Sequence, residues 1–488
     1  MHASVACPNR LYVRHTSESS SDPDVDSHTL KYAACVAAFE MGSPPKSRSD
    51  RLLDRRSVLA GVATGVVGAT GCLTLPGGKG HYDLSQSGFY PEDRPYAEIY
   101  PADTEISMFR RGLRRLGYYP DAVVPDAVSK QWSLPVNYIG HTAAKSSPRP
   151  TPDGDSVLIA ADTGEVHGVS TMGQHGWTTQ TEATHLGIHS TPTIVDGTAY
   201  VGGYDGDLYA IDVATGRREW VLSKASMGWP TAIGSSPAYW DGYLYFMAEY
   251  LDPNRGALWI ANAATGKPVW SDDLDIGGMP HPSPAISPVD ERLVSGSNDG
   301  VVYAWEFPSM DFQWRFETGG EVKGTPPVYE GSTFVGSWDN RVYSLALEDG
   351  SKEWDFETGG IVMSNPGIDP DSGTLYVGSG DGYVYALDTE SGQEQWSRYV
   401  GGTVLGSLTV TSDCVLVGSY DTHLYALEKI TGETRWRVEN RGHVTSEPVP
   451  HDGKIYYAER ADISGYWDDG TETVLEQPGH AYCLVPDE

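Results

Sequence analysis

A short sequence signature recurs along the chain from Gln131 onward, at a spacing of about 42 residues. Its clearest copies read Ala-x-Asp-x-x-Thr-Gly-x-x-x-Trp or a close variant. The copies end at Trp177, Trp220, Trp270, Trp314, Trp354, Trp396 and Trp436. Self-similarity at this period is typical of solenoids, propellers and other repeat arrays, in which each unit buries its apolar face against its neighbours.

Each unit also contains two segments of alternating apolar and polar residues, joined by a tight turn. The turns carry Asp-Gly or Asp-Asn, at Asp205–Gly206, Asp299–Gly300, Asp339–Asn340 and Asp381–Gly382. These residues tolerate positive φ and indicate β-hairpins. A segment that often opens with Ser-Pro or Thr-Pro precedes each hairpin, and the Trp lies in a fourth segment. Four antiparallel strands per unit predict one propeller blade.

Counting the hairpins predicts an all-β fold, an eight-bladed β-propeller over residues 131–488. The eighth unit has no room for a Trp strand. We therefore expect Gln131–Val136, with Trp132, to supply that strand and to close the ring by pairing the first and last strands. All eight Trp side chains are expected to dock between blades in a structural role, because a large flat side chain buries about 200 Å² there.

The N-terminal region has the pattern of an export signal rather than of a membrane span. Arg55 and Arg56 are followed by an uncharged Gly/Ala-rich run that is shorter than a bilayer requires, and small residues precede Cys72. The arginines resemble a twin-arginine signal and Cys72 a lipidation site. We expect residues 1–40 to be a disordered, over-extended gene start, 41–72 the lipoprotein signal peptide, and 73–130 a linker with a short pre-propeller segment.

The charge balance is strongly acidic, with 34 Lys and Arg against 66 Asp and Glu and a formal net charge of −32. A general nucleic-acid binder is excluded, because such proteins need a basic surface. A dense carboxylate surface suits molar salt, which screens its self-repulsion, so the composition favours a halophilic source. An ordinary acidic extracellular protein is the alternative.

The repeat resembles that of pyrroloquinoline-quinone (PQQ)-type eight-bladed propellers, in which tryptophans dock the blades. The likeness spans Gln131 to Glu488, and Ile106–Tyr119 looks like the segment that often precedes their first blade. That family includes quinone-dependent alcohol and glucose dehydrogenases. It also includes non-catalytic lipoproteins, such as the scaffold of outer-membrane assembly.

The motifs of the catalytic relatives are missing from the sequence. The resemblance would require an adjacent Cys-Cys pair, a Ca²⁺ site built from Glu, Asn and Asp, and in haem-containing members a Cys-x-x-Cys-His motif; neither cysteine motif is present and the Ca²⁺ set cannot be placed. His185 and His189 would stand about 13 Å apart on a strand, too far to chelate one ion. We therefore predict no catalytic residue, metal or cofactor, with PQQ and Ca²⁺ expected only if the chain is a dehydrogenase.

Two places remain as candidate binding sites. The first is the mouth of the central channel, where residues preceding the opening prolines converge: Lys145, His189, His281, Lys323, His443 and Glu447. The second is a long loop in the eighth unit that carries Tyr466 and Trp467. Long loops on a rigid scaffold are where binding residues concentrate.

The sequence therefore predicts a non-catalytic binding or scaffold module. It is expected to be a monomeric propeller, exported and held by lipid at the outer face of the cytoplasmic membrane, where it binds an unidentified protein or peptide. A quinone-dependent alcohol or sugar dehydrogenase is the alternative.

Overall fold

The computed structural model describes residues 106–140, 146–272, 276–464 and 474–487. Several predicted sites lie outside these ranges: Arg55, Arg56, Cys72, Lys145, Tyr466 and Trp467. Within the described ranges, no helix has the length and apolarity needed to cross a bilayer. The described helices are two short 3₁₀ turns, Phe109–Arg111 and Lys224–Met227.

Eight four-stranded antiparallel sheets form the blades, so the predicted all-β eight-bladed propeller is confirmed. From the axis outward, the strands of the first four blades are Arg149–Pro150, Ser156–Ala160, Glu165–Ser170 and His175–Gln180 (blade 1); Thr193–Val195, Thr198–Gly202, Leu208–Asp212 and Arg218–Leu222 (blade 2); Ala238–Trp240, Tyr243–Leu251, Asn254–Asn262 and Pro268–Ser271 (blade 3); and Ala285–Ser287, Arg292–Gly296, Val301–Glu306 and Phe312–Glu317 (blade 4).

The other four blades repeat this order. Their strands are Val328–Tyr329, Ser332–Gly336, Arg341–Ala346 and Lys352–Glu357 (blade 5); Gly367–Asp369, Thr374–Gly378, Tyr383–Asp388 and Glu394–Tyr399 (blade 6); Thr409–Thr411, Cys414–Gly418, His423–Glu428 and Thr434–Glu439 (blade 7); and Val449–His451, Lys454–Ala458, Gly479–Pro486 and Val128–Asn137 (blade 8). The accessory strands are Ile106–Ser107 on blade 2, Tyr118–Tyr119 on blade 7, Ile276–Gly277 on blade 3, and the hairpin Asp462–Ser464 and Val474–Gln477.

Blade 8 closes the ring as the sequence predicts. Its outer strand, Val128–Asn137, comes from the start of the propeller and pairs antiparallel with Gly479–Pro486. The observed strand extends beyond the predicted Gln131–Val136 at both ends. This pairing covers a sheet edge that would otherwise be exposed.

The recurrent tryptophans pack across the blade interfaces. The Trp354 indole N–H donates to the Thr389 carbonyl of the next blade at 2.9 Å, and a Cβ added to Gly392 would lie 2.6 Å from its ring. The corresponding bonds are Trp132 to Thr171, Trp177 to Val213, Trp220 to Ala263, Trp314 to Leu347 and Trp396 to Lys429. Trp436 instead donates to Pro125, which precedes the outer strand of blade 8. Trp270 packs in the apolar cluster between blades 3 and 4.

A collar of hydrogen bonds joins the blades at the axis, through the residue before each opening proline or its equivalent. In each bond a backbone N–H or an amide group donates to a side-chain oxygen of a neighbouring blade. The bonds run Ser147 to Thr191, Thr191 to Ser236, Ser236 to Ser283, Ser283 to Thr325, Thr325 to Asn365, Asn365 to Ser407, and Glu447 to Ser147. The residues of the Ser/Thr-Pro pattern therefore link neighbouring blades by hydrogen bonds.

Residues 106–124, here called the plug, run around the axis at one end of the propeller. The plug contacts the inner strands of successive blades: Ile106–Ser107 pairs with blade 2, the Leu113 carbonyl accepts from Ile286 of blade 4, and Tyr118–Tyr119 pairs with blade 7. This end of the propeller is called the plug end below.

Two fully buried arginines fasten the plug to the axis. Arg110 donates to the carbonyls of Pro366 and Leu408, and Arg115 donates to the Pro284 carbonyl at 3.0 Å. Both guanidinium groups thereby satisfy carbonyls at the starts of the inner strands, which would be costly to bury without a donor.

Candidate functional site

The opposite end of the propeller carries the predicted channel mouth. It is built from the loops that link successive blades and from the hairpins between second and third strands, and it is called the hairpin end below. The blades can be aligned with one another through a hydrogen bond that several of them share. In this bond, the backbone N–H of the last residue of the second strand donates to a serine hydroxyl. Examples are Gly202 to Ser190 at 2.8 Å and Gly378 to Ser364 at 3.0 Å.

This register places one residue of each blade at the same position of the mouth, two residues beyond the bonded N–H. The eight equivalent residues are Asp162, Tyr204, Glu249, Asn298, Trp338, Gly380, Tyr420 and Arg460. Sequence reasoning did not single out this set. The signal was available, because each residue follows the second strand at a constant offset and its chemistry varies between blades.

Three blades place an aromatic ring of this set against a basic side chain. The rings of Tyr204 and His189 have centroids 3.7 Å apart in blade 2, and the Lys323 ammonium lies 3.9 Å from the centre of the Trp338 ring in blade 5. In blade 7 the Tyr420 ring stacks on His443 at 4.3 Å. Trp338 and both tyrosines are half-buried, so each remains partly accessible to solvent.

The structure places the predicted mouth residues as follows. His189, His281 and Lys323 occupy equivalent positions two residues before the collar residue of their blade. His443 lies four residues before Glu447, the collar residue of blade 8. Lys323 also pairs with Glu321 at 2.7 Å. These four residues therefore share one end of the propeller.

A cluster of polar side chains joins blades 2, 3 and 4 at the mouth. Glu249 is fully buried, and its Oε1 lies 3.2 Å from His281 Nδ1. The Tyr204 hydroxyl lies 3.1 Å from the same nitrogen. Glu249 fits here because Gly234 has no side chain: an added Cβ would stand 2.7 Å from Glu249 Oε1.

Glu447 does not lie at this mouth. It belongs to the collar, is 0 % exposed, and binds Arg149 Nη2 through Oε2 at 2.7 Å. It also accepts the Arg110 backbone N–H at 3.2 Å and the Tyr119 hydroxyl at 3.2 Å. Burial raises the pKa of Tyr119 to about 12, so its hydroxyl stays protonated and donates. The alignment of the blades on their opening prolines gives Glu447 its correct position just before the inner strand. It does not show that residues of the plug cover Glu447.

The described residues contain no group of three or more His, Cys, Asp or Glu side chains able to hold a metal ion. The two described cysteines, Cys414 and Cys483, lie in different blades and are buried. Burial raises the pKa of the Cys414 thiol to about 12 and that of Cys483 to about 11, which disfavours thiolate chemistry at either residue.

Similar proteins of known sequence and structure include both classes in the predicted family. The quinohemoprotein alcohol dehydrogenase of Comamonas testosteroni is 28 % identical over 154 residues, which cover 29 % of this chain and 21 % of that protein. The dehydrogenase subunit of the quinone alcohol dehydrogenase of Komagataeibacter europaeus is 26 % identical over 162 residues, with the same coverage. The matches thus span only about a fifth of the length of these relatives.

Solved structures share the fold over most of the chain. The Comamonas testosteroni enzyme superposes with a TM-score of 0.63 at 14 % identity, covering 78 % of this chain and 81 % of that one. BamB from Moraxella catarrhalis superposes with a TM-score of 0.53 at 17 % identity, covering 74 % and 98 %. A family model described as outer membrane protein assembly factor BamB matches residues 122–277, 254–367 and 358–466. The chain therefore belongs to this family of PQQ-type repeat propellers.

Proposed function

We propose that the protein is a non-catalytic binding or scaffold module, exported and held by lipid on Cys72 at the outer face of the cytoplasmic membrane. One observation carries the binding role: three blades present an aromatic ring in contact with a basic side chain at the hairpin end. Half-buried aromatic side chains on a rigid scaffold are typical anchors for a protein or peptide partner. The plug occupies the other end of the axis with the chain's own residues.

Photo-crosslinking on intact cells tests this role. A benzoylphenylalanine placed at position 338 is expected to yield a discrete protein adduct that mass spectrometry identifies. The same probe at position 312 is the matched control, because Phe312 is exposed on an outer strand of blade 4. Equal adducts from both positions, or none from position 338, would argue against the hairpin end as the binding surface.

The loop with Tyr466 and Trp467 is a second proposed contact. Deleting residues 465–473 is expected to remove an adduct formed from this loop while leaving the thermal stability of the propeller unchanged. Loss of folding in this variant would instead show that the loop is structural.

The alternative function, a quinone-dependent alcohol or sugar dehydrogenase, is favoured by the catalytic relatives and disfavoured by the absence of an adjacent Cys-Cys pair from the sequence. Incubation with Ca²⁺ and PQQ followed by gel filtration separates the two. A binding module elutes without quinone absorbance, whereas retained stoichiometric quinone would support the dehydrogenase.

A further inference from the structure

The aromatic side chain most exposed to solvent among the described residues is that of Trp229, at 67 %. It lies in the link between blades 2 and 3, at the hairpin end. This link runs from 223 to 237, whereas the links after blades 5 and 6 run only from 358 to 366 and from 400 to 408. The chain therefore adds residues here that a link between two blades does not require.

The backbone of Trp229 is strained. Its φ is 62°, in the left-handed region that a bulky side chain rarely adopts. It also precedes Pro230, and the ring of a proline favours an extended conformation of the residue before it. Such strain lowers the stability of a fold and persists only where something compensates for it.

Met310 shows one form of compensation. Its φ is 61°, close to that of Trp229, but its side chain is only 4 % exposed and packs in the apolar cluster between blades 3 and 4. Burial of this apolar side chain offsets the strain. Trp229 has no comparable burial, so packing within the chain does not account for its conformation.

The loop that carries Trp229 is held in a fixed conformation. The Trp229 N–H donates to the Lys224 carbonyl at 2.9 Å. The Met227 carbonyl accepts the hydroxyl of the buried Tyr250 of blade 3 at 2.6 Å. The backbone that presents the indole is therefore ordered before any partner binds, which reduces the entropy lost on binding.

The same loop is joined to the mouth at the hairpin end. The Thr231 N–H donates to the Glu249 carbonyl at 2.7 Å, and the Ile233 N–H donates to the carbonyl of Gly203, in the blade 2 hairpin, at 2.9 Å. A partner seated on the hairpin end can therefore contact Trp229 together with the mouth.

Charges of both signs surround Trp229. Lys224 and Asp207 are half-buried, and the Lys224 N–H donates to the Asp207 carboxylate at 2.6 Å. Arg255 lies over a tyrosine ring of the blade 3 hairpin at 4.0 Å, and Asp252 at the tip of that hairpin is exposed. Neither sign dominates, so the indole is the distinguishing group of this surface.

We propose that Trp229 anchors the protein partner of the hairpin end by inserting its indole into an apolar pocket of that partner. Tryptophan is among the residues that most often dominate the binding energy of an interface. A side chain that projects into solvent needs a concave partner, which a small molecule does not provide. The anionic headgroups of a membrane would repel a chain with a net charge of −32. This inference rests on the proposed binding role and names the residue that the partner recognises.

Substitutions of Trp229, combined with the photo-crosslinking probe at position 338, test the anchor. We expect Trp229→Gly to lower the yield of the adduct at least about tenfold, and Trp229→Phe, which keeps an aromatic ring, to retain most of it. An unchanged yield in Trp229→Gly would overturn the anchor and leave the binding role standing. No adduct in the parent protein would overturn the binding role, and the anchor with it.

Thermal unfolding distinguishes an anchor from a structural residue. Glycine adopts a positive φ without strain, so Trp229→Gly is expected to melt at the temperature of the parent protein or above it, although it loses the partner. Met310→Gly is the matched control: it relieves a similar φ but leaves a buried cavity, so its melting temperature is expected to fall. A lower melting temperature for Trp229→Gly would show that the indole stabilises the fold, contrary to the proposal.

Two other occupants of this surface are outcomes of the same tests. The variant Cys72→Ser, mixed with vesicles of phosphatidylglycerol and phosphatidylcholine, is expected to stay in the supernatant when the vesicles are sedimented. Vesicle binding that Trp229→Gly abolishes would overturn the proposal in favour of a membrane contact. A crosslinked adduct identified as a second copy of this chain would overturn it in favour of self-association.

Discussion

Arg149 and Glu447 form a 2.7 Å ion pair in which both side chains are buried, and they come from opposite ends of the propeller sequence. Arg149 begins the inner strand of blade 1, and Glu447 precedes that of blade 8. The pair therefore joins the first and last blades at the axis, as the strand Val128–Asn137 joins them at the rim. With the collar bond from the Glu447 N–H to Ser147, the first and last blades are joined both at the axis and at the rim.

Breaking the axial link should destabilise the whole ring. Glu447→Gln leaves Arg149 buried without its counter-charge, and we expect the free energy of unfolding to fall by about 3–5 kcal/mol. Glu182→Gln is the control, because Glu182 and Arg218 form an exposed pair at 3.8 Å, for which about 0–1 kcal/mol is expected. Denaturant titration of both variants measures the difference. Equal losses would show that burial of the pair does not matter.

The glycine against each docking tryptophan provides a second prediction. Gly392→Ala would place a Cβ 2.6 Å from the Trp354 ring at a φ of 68°. Gly331→Ala is the control, since its φ is 77° but nothing lies within 4 Å of the added Cβ. We expect the control to lose about 1–2 kcal/mol from backbone strain alone, and Gly392→Ala to lose about 1–3 kcal/mol more from overpacking. Calorimetric melting of the two variants measures the excess, and its absence would mean that the indole moves aside.

The blades could be predicted from the sequence because their determinants are local and repeated. Turn residues, strand alternation and the tryptophan spacing recur in each unit, so weak copies such as that at Trp177 are supported by strong ones. Closure of the ring could be predicted by counting strands, because the last unit lacks its outer strand and the segment at Trp132 supplies it. Neither inference required knowledge of a contact between distant parts of the chain.

The plug could not be predicted in this way, because it occurs once and has no period. In the sequence, only a resemblance to the segment that precedes the first blade of related propellers marks Ile106–Tyr119. Its path depends on single contacts with blades far away in sequence, such as that of Arg110 with Pro366. The misplacement of Glu447 has the same origin. One part of the path of the plug did have a signal in the sequence. The inner-strand residue that contacts the plug is Ile, Val or Tyr in six blades. The equivalent residues of blades 1 and 8 are Pro150 and Pro450, which have no backbone N–H to donate.

Acid should destabilise the turns between third and fourth strands. Asp388 accepts the Ser391 hydroxyl at 2.6 Å and the Ser391 N–H at 2.8 Å, and these bonds lower the pKa of Asp388 below 3.8. A carboxyl whose pKa is lower in the folded state stabilises the fold above its unfolded pKa, and this contribution is lost as the pH falls through the folded value.

Asp388→Asn should therefore reduce the loss of stability on acidification below the ordinary Asp pKa of 3.8. The substitution is tolerable because Asn262 holds Thr265 in the same way in blade 3. Urea midpoints measured across this pH range for the variant and the parent protein give the result. Parallel pH profiles would contradict the role of this carboxyl. The effect should be small, because Asp388 is only partly buried.

The acidic surface predicts a strong dependence of stability on salt. Repulsion among an excess of 32 negative charges opposes compaction, and molar salt reduces the Debye length to about 3 Å. We expect the melting temperature to rise steadily from dilute buffer to molar KCl. Repeating the scan in sucrose controls for a general effect of cosolvents. A melting temperature no higher in KCl than in dilute buffer would contradict halophilic adaptation.

Lipid attachment is tested by Cys72→Ser. A single acyl chain gives only marginal membrane binding, so stable anchoring requires two chains on the cysteine. We expect the parent protein in the membrane fraction of lysed cells, and Cys72→Ser in the soluble fraction or the medium. Cys414→Ala is the control: Cys414 is buried in blade 7, where it cannot accept lipid, so this variant should stay with the membrane. Retention of Cys72→Ser on washed membranes would mean that another part of the chain anchors the protein. Release of both variants would instead point to an effect of folding.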